Sequence, residues 1–357
     1  MRKLNFLLAV VIAASLVIGL ALAGCAPAAQ PTPTSAPAAA TKPPAAPTQP
    51  PAAPTQAPAA QPPAAAAKLS LVTGGTAGTY YPFGGAMANI WTQAGVAGVT
   101  AESSGASVEN IRLLGSKKAD LALVQNDVAD FALNGIELFK DGAIKVSGIA
   151  ILYPEVIQIV ASADSGIKSL TDLKGKRVGV GAAGSGTEAD FRLMLDAVGM
   201  TYKDLGAAQY LSFAESAQAF KDRKIDAAVV VAGIPNPAIQ DITTLQDIVI
   251  VPVAGEVADK IKSKYKFFAK TTIPANTYKG QAQAVDTVTV LATLVCRTDL
   301  DTELVYKLTK TLFDKQPELA QAHAKGKELS KDKALDGLTV PLHPGAEKYY
   351  KEAGVLK

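Results

Sequence analysis

Lys176-Arg177-Val178-Gly179-Val180-Gly181-Ala182-Ala183-Gly184-Ser185-Gly186-Thr187-Glu188-Ala189-Asp190-Phe191 is the stretch on which the fold turns. Lys176 to Val180 is short and β-prone, and Gly181 to Gly186 is a glycine-rich loop. The apolar spacing from Thr187 to Val198 then predicts a helix. Gly179, Gly181 and Gly184 also match the G-x-G-x-x-G dinucleotide fingerprint, with Asp204 lying 20 residues past Gly184. The strand before them is short, however, and the glycines run on into a second Gly-Ser-Gly turn. No nucleotide cofactor, and no cofactor of any other kind, is expected.

The alternation continues on both sides. Lys68 to Thr73, Val96 to Glu102 and Asp120 to Val124 read as strands. Between and after them, helices are predicted over Pro82 to Gln93, Val108 to Leu114 (with Ser107 as its cap) and Asp127 to Leu133. Farther on, Ala207 to Leu211 and Ala227 to Val231 are strands, and Phe213 to Arg223, Asp301 to Phe313 and Pro317 to Ala324 are helices. The pattern predicts an α/β fold with a largely parallel sheet. Two longer β-prone runs, Ile149 to Ala161 and Ala284 to Cys296, are candidates for strands crossing between two lobes. Lobe one is then expected at 68–162 plus 253–357 and lobe two at 163–252. The loops at the strands' carboxyl ends would face each other across a cleft.

The first residues read as an address. Arg2 and Lys3 precede an uncharged apolar run from Phe6 to Ala23, and Leu22-Ala23-Gly24-Cys25 reads as a lipobox. Residues 1–24 are expected to be a lipoprotein signal peptide and Cys25 the lipidated first residue of the mature chain. Residues 26–67 hold 13 of the 22 prolines and 18 alanines, too little material for a core. Residues 25–67 are therefore expected to be a lipidated cysteine and a disordered tether to the membrane. The formal charge of +3 owes two units to Arg2 and Lys3. From Lys68 onward, basic and acidic side chains balance at 32 each. A neutral body offers little counterion release, so nucleic acid is not an expected partner.

The loops suit binding rather than reaction. Gly184-Ser185-Gly186-Thr187, just before a helix, presents backbone N–H groups and the positive end of the helix dipole, both suited to an anion. Ser103 to Ser107 forms a similar loop, and Gly78-Thr79-Tyr80-Tyr81 a third with phenol rings. Taken singly each is an ordinary N-cap at a βα turn; three in one chain suggest an enclosed small polar anion held without arginine. Enzyme signatures are weak. Ser185 lacks the first glycine of G-x-S-x-G, where Ala183 stands, and His323 and His343 lie far from the glycine loops. There is no H-E-x-x-H motif and no clustered acidic ligand set. Cys296, in an apolar strand, reads as a buried thiol.

A family resemblance adds to this. Leu71-Val72-Thr73-Gly74 with Gly78-Thr79-Tyr80-Tyr81-Pro82-Phe83-Gly84-Gly85 resembles the N-terminal signature of the TAXI family, the solute receptors of tripartite ATP-independent periplasmic (TRAP) transporters. The segments Ser107 to Leu114, Asp120 to Asp127, Leu173 to Gly181, Gly184 to Glu188, Gly233 to Ile239 and Pro341 to Ala346 look like that family too, as does Tyr349 to Gly354. The likeness runs from 69 to 354. It implies a two-lobed type II periplasmic-binding-protein fold with two crossing strands as hinge. The implied function is an extracytoplasmic solute receptor, not an enzyme. It would capture a small organic acid or amino acid, of the glutamate or 2-oxoglutarate type, and pass it to an integral-membrane permease. By position, the implied contacts are Gly78, Thr79, Tyr80, Ser104, Ala106, Ser107, Gln125, Gly184, Ser185, Gly186, Thr187, Gly233 and Pro235, with no metal. The expected location is the outer face of the cytoplasmic membrane or the periplasm. Other readings stay open: a binding protein of an ABC importer, a sensory receptor, or a secreted hydrolase using Ser185.

Overall fold

The computed structural model describes residues 67–357. The expected signal peptide, Cys25 and all of the tether before Ala67 lie outside the described residues.

Strands and helices alternate from the start: β1 (Lys68–Val72), α1 (Tyr80–Gln93), β2 (Gly98–Glu102), α2 (Ser107–Gly115), β3 (Leu121–Gln125) and α3 (Asn126–Asn134). The long β4 (Ser147–Ser162) follows. Then come β5 (Arg177–Gly179), α4 (Gly186–Ala197), β6 (Ala207–Gln209), α5 (Phe213–Lys221), β7 (Ala227–Ala232) and α6 (Pro237–Thr243). The chain continues through β8 (Ile248–Val251), α7 (Gly255–Lys264), β9 (Ala269–Ile273) and the second long strand, β10 (Val285–Cys296). It closes with α8 (Thr302–Asp314), α9 (Gln316–Ala322) and α10 (Pro344–Glu352). Helix starts follow local chemistry. Asp301 accepts from Leu304 N at the head of α8, and Asn236 accepts from Ala238 N ahead of Pro237 in α6.

One sheet has the order β2-β1-β3-β10-β4-β7-β5-β6, with β8 on β4 and β9 on β10. Two parallel sets, β2-β1-β3 and β7-β5-β6, flank the antiparallel pair β10 and β4. The expectation of a largely parallel sheet holds for the flanks and fails at the centre, where the two long runs turn antiparallel. Each long strand changes partner along its length. β4 faces β10 over residues 147–156, then pairs with β7 over 156–161 and β8 over 159–162. β10 pairs with β9 over 285–289 and with β3 over 292–296. With helices on both faces, this is the α/β type II periplasmic-binding-protein fold.

Three buried apolar clusters fill the helix–sheet layers. Trp91, fully buried, donates Nε1 to Leu308 O at 2.9 Å and ties α1 to α8. Tyr350 donates its hydroxyl to Ile149 O at 2.8 Å and ties α10 to β4. Cys296 is buried in the same layer, as its apolar setting suggests.

One reading changes. Ser107 is not the cap of α2 but its first residue, and Ala106, at φ +74°, is the cap. The Ser107 hydroxyl instead accepts from Gln125 N at 3.1 Å. Segment 253–284 packs α7 against α4 and pairs β9 with the first half of β10.

Candidate functional site

Four loops meet at one cavity with about 580 Å³ of atom-free space, its mouth included. Gly74, Gly75, Gly78, Thr79 and Tyr80 come from the β1–α1 turn. Ser104, Gly105, Ala106 and Ser107 come from the β2–α2 turn, and Ala182, Ser185, Gly186 and Thr187 from the β5–α4 turn. Ser212 and Phe213, at the start of α5, were not anticipated. Gln125 at the end of β3, Glu155 of β4, and Val231 and Ala232 of β7 complete the wall.

The β2–α2 turn is fixed from below. Asn110, fully buried, donates Nδ2 to Thr73 O at 2.6 Å and to Leu123 O at 2.7 Å. Its Oδ1 accepts from Ser104 Oγ at 2.6 Å, and Ser104 Oγ accepts from Ala106 N at 3.1 Å. This chain of bonds holds Ala106 in a backbone region that L-residues enter at a cost. The β5–α4 turn is pinned by Ser185, whose Oγ accepts from Glu188 N at 3.1 Å. Gly184 O accepts from Val108 N at 3.1 Å and Glu109 N at 3.3 Å, which joins the two turns directly. No side chain caps α1 or α2.

Ten of the thirteen expected contacts therefore line one cavity. Gly184 acts through its carbonyl on α2 rather than on the wall. Gly233 lies behind the wall, where a Cβ would come within 2.6 Å of Lys325 Cε and 3.2 Å of Thr79 Cγ2. Pro235 is exposed and away from the cavity. Gly186 is a required close approach, since a Cβ there would sit 1.4 Å from Gln125 Oε1.

The electrostatics come from a residue that the sequence reading missed. Glu155 is 2% exposed and accepts from the Tyr80 hydroxyl at 2.8 Å. Burial pushes its carboxyl up to about 8; the Tyr80 bond pulls it down and the Asp127 charge raises it again. At neutral pH Glu155 is a neutral acid that can both donate and accept. Burial, then the Glu155 charge, holds the Tyr80 phenol well above its usual range. Among the described residues no arginine or lysine lines the cavity. Arg192 instead bonds Glu137 at 2.8 Å and lies 3.5 Å from Glu188. Lys325, behind the wall, bonds Glu328 at 2.6 Å.

Among the described residues neither histidine bonds Ser185. His343 Nδ1 accepts from Gly345 N and its Nε2 meets Leu300 O, so it starts α10. His323 Nδ1 accepts from Lys325 N, and its ring packs edge-on to Phe83. Among the described residues no three His, Cys, Asp or Glu side chains gather to hold a metal ion. What remains is an open-mouthed chamber ringed by helix starts, its exposed wall more apolar than polar.

The NMT1-like family matches the chain over residues 71–354. This chain belongs to the NMT1-like family. The match spans both flanks of the sheet and every loop of the cavity. Among solved structures, a protein of Bordetella bronchiseptica RB50 is 17% identical, with a TM-score of 0.50, covering 82% of this chain and 90% of its own. The alkanesulfonate-binding protein SsuA of Xanthomonas axonopodis pv. citri, bound to MOPS, is 15% identical with a TM-score of 0.43, covering 82% and 81%. An ABC uptake transporter substrate-binding protein of Streptococcus pneumoniae with bound histidine is 16% identical with a TM-score of 0.42, covering 71% and 91%. At these identities the likeness is one of fold. This NMT1-like chain is periplasmic solute-binding-protein-like in its architecture.

Proposed function

We propose that this chain is the extracytoplasmic solute receptor of a TRAP transporter. It captures a small organic acid or amino acid and hands it to a membrane permease. The carrying observation is that the starts of α1, α2, α4 and α5 converge on one chamber with no cation in its wall. Helix N-termini offer N–H donors and partial positive charge, so a carboxylate is held without an ion pair. Glu155, neutral at pH 7, adds a donor instead of a repelling charge.

Motion follows from the shared strands. We place lobe one around β1, β2, β3 and the second half of β10, and lobe two around β5, β6 and β7 with α7 and β9. β4 and β10 form the hinge, and a solute touching both lobes favours the closed form. The GTYYPFGG run at 78–85 and PLHPGA at 341–346 support the TAXI assignment within this fold. The lipidated Cys25 and proline-rich tether would hold the receptor beside its permease.

A thermal-shift screen of small organic acids and amino acids tests the reading. A solute that binds only the folded form raises Tm, and failure of every acid to do so would overturn it. Reconstitution of the receptor with its permease separates the routes: uptake driven by an ion gradient supports a TRAP system, and uptake that needs ATP supports an ABC importer.

A further inference from the structure

Asp127 and Asp190 are buried, and Gln125 of the cavity wall bonds Asp190. Asp127 lies in the first turn of α3 and Asp190 on α4, both fully buried. Their carboxyls act directly on one another, and a hydrogen bond between them would require a proton, because two carboxylates have only acceptors. Both oxygens of Asp127 and Oδ1 of Asp190 have no partner in hydrogen-bond geometry, although the backbone N–H groups of Asp127 and Val128 favour the charged form of the Asp127 carboxyl. Gln125, 2% exposed and part of the cavity wall, donates Nε2 to Asp190 Oδ2 at 3.0 Å, while its Oε1 has no partner. α3 belongs to the β1–β3 flank and α4 to the β5–β7 flank, so the pair spans the junction.

We propose that Asp127 and Asp190 form a proton-binding site that clasps the two lobes together and is linked through Gln125 to the solute cavity. The motion it controls rests on the two-lobed reading above. Burial, then the neighbouring Asp127 charge, holds Asp190 well above the carboxylate range, and burial raises Asp127. The other acidic groups acting on the pair, Asp130 of α3 and, once it ionises above about 8, Glu155 of β4, both oppose ionisation. The charged groups on the packed elements are engaged elsewhere. On α2, Glu109 meets Gly105 N and Arg112 meets Leu138 O. Arg192 bonds Glu137, and Asp286 of β10 bonds Thr272. On α7, Lys264 bonds Asp196 and Asp259 bonds Lys270. In an open form both carboxyls meet water and return to about 4. Closure at neutral pH therefore takes up a proton, and alkali favours opening.

Hydrogen exchange in the full chain reads this directly. The amides of Val108 and Glu109 bond Gly184 O across the same junction. After correction for the intrinsic pH dependence of exchange, their protection should fall from neutral to alkaline pH, approaching tenfold per pH unit for one proton. With both proteins compared in a Glu155→Gln background, which removes the titration near 8, the slope should vanish in Asp190→Asn, whose amide donates without titrating. The unsubstituted protein should also show, at neutral pH, an infrared C=O band of a protonated carboxyl that shifts on aspartate-specific 13C labelling, which excludes Glu155. Protection independent of pH, a slope surviving in Asp190→Asn, or absence of that band would each overturn the clasp. A negative solute screen would sink the receptor reading and leave this slope in place.

Discussion

The Tyr80 hydroxyl donates to Glu155 Oε2 at 2.8 Å in a setting where both side chains are buried, 7% and 2% exposed. One bond thus joins the start of α1 to the middle of the central strand β4, at the wall of the cavity. It also tempers the acid, because burial raises the Glu155 carboxyl and the phenol bond lowers it.

Removing that hydroxyl has a signed effect. Tyr80→Phe should cost roughly 1–3 kcal/mol, the usual range for a buried acceptor left without its donor. It should move the Glu155 titration above about 8. Carboxyl 13C NMR gives the midpoint and thermal unfolding gives the cost. A midpoint that falls would contradict the assigned bond.

Glu155→Gln tests the acid itself. The folded group holds its proton up to about pH 8, whereas the unfolded one loses it near 4.5. Between these values the native state binds more protons than the unfolded state, so stability falls as pH rises. The penalty is absent below pH 4.5 and complete above 8. The Tm advantage of Glu155→Gln over the parent should therefore grow across that window and then level off. Parallel Tm curves would show that Glu155 does not titrate as described.

Ser185→Ala removes the cap of α4. Loss of the bond from Glu188 N should cost about 1 kcal/mol. Combined with Tyr80→Phe, it should weaken solute binding strongly while circular dichroism stays unchanged. Calorimetry on a solute found by screening is the measurement, and an unchanged affinity would remove both residues from the site.

Gly186→Ala places a methyl 1.4 Å from Gln125 Oε1 and 2.4 Å from its Cδ. Gln125 must then leave Asp190, and affinity should fall more than about tenfold, the equivalent of 1.4 kcal/mol. Gly85→Ala in α1 is the control. A Cβ there meets nothing within 4 Å, and the change should add roughly 0.5–1 kcal/mol of stability. Equal behaviour of the two variants would argue against a tight junction at Gly186.

The βα turns were legible because glycine, serine and threonine at helix starts carry their own local chemistry. Loops from 78–80, 104–107 and 185–187 indeed share a wall. Glu155 was hidden because it is one carboxyl inside an apolar run, and only tertiary packing shows that it faces the chamber. Asp127 and Asp190 went unremarked inside predicted helices for the same reason. α7 went unnoticed because Ala258 and Ile261 are its only buried residues, too few for a periodic signal. β9 was equally faint: its only buried residue is Ile273. Ser107 misled because a serine before a helical pattern is the usual cap, while here the Ser104–Asn110 bonds pull Ala106 into that place.

The partner exchange along β4 and β10 bears on the order in which the chain can be assembled. β3 needs β10 beside it, and the layer holding Trp91 needs Leu308 and Tyr350, all far later in the sequence. Newly made β1, β2 and β3 therefore cannot complete their core until the last helices have emerged. A polypeptide built this way stays incompletely folded through most of its synthesis, the condition in which a chain can still be threaded through a narrow channel.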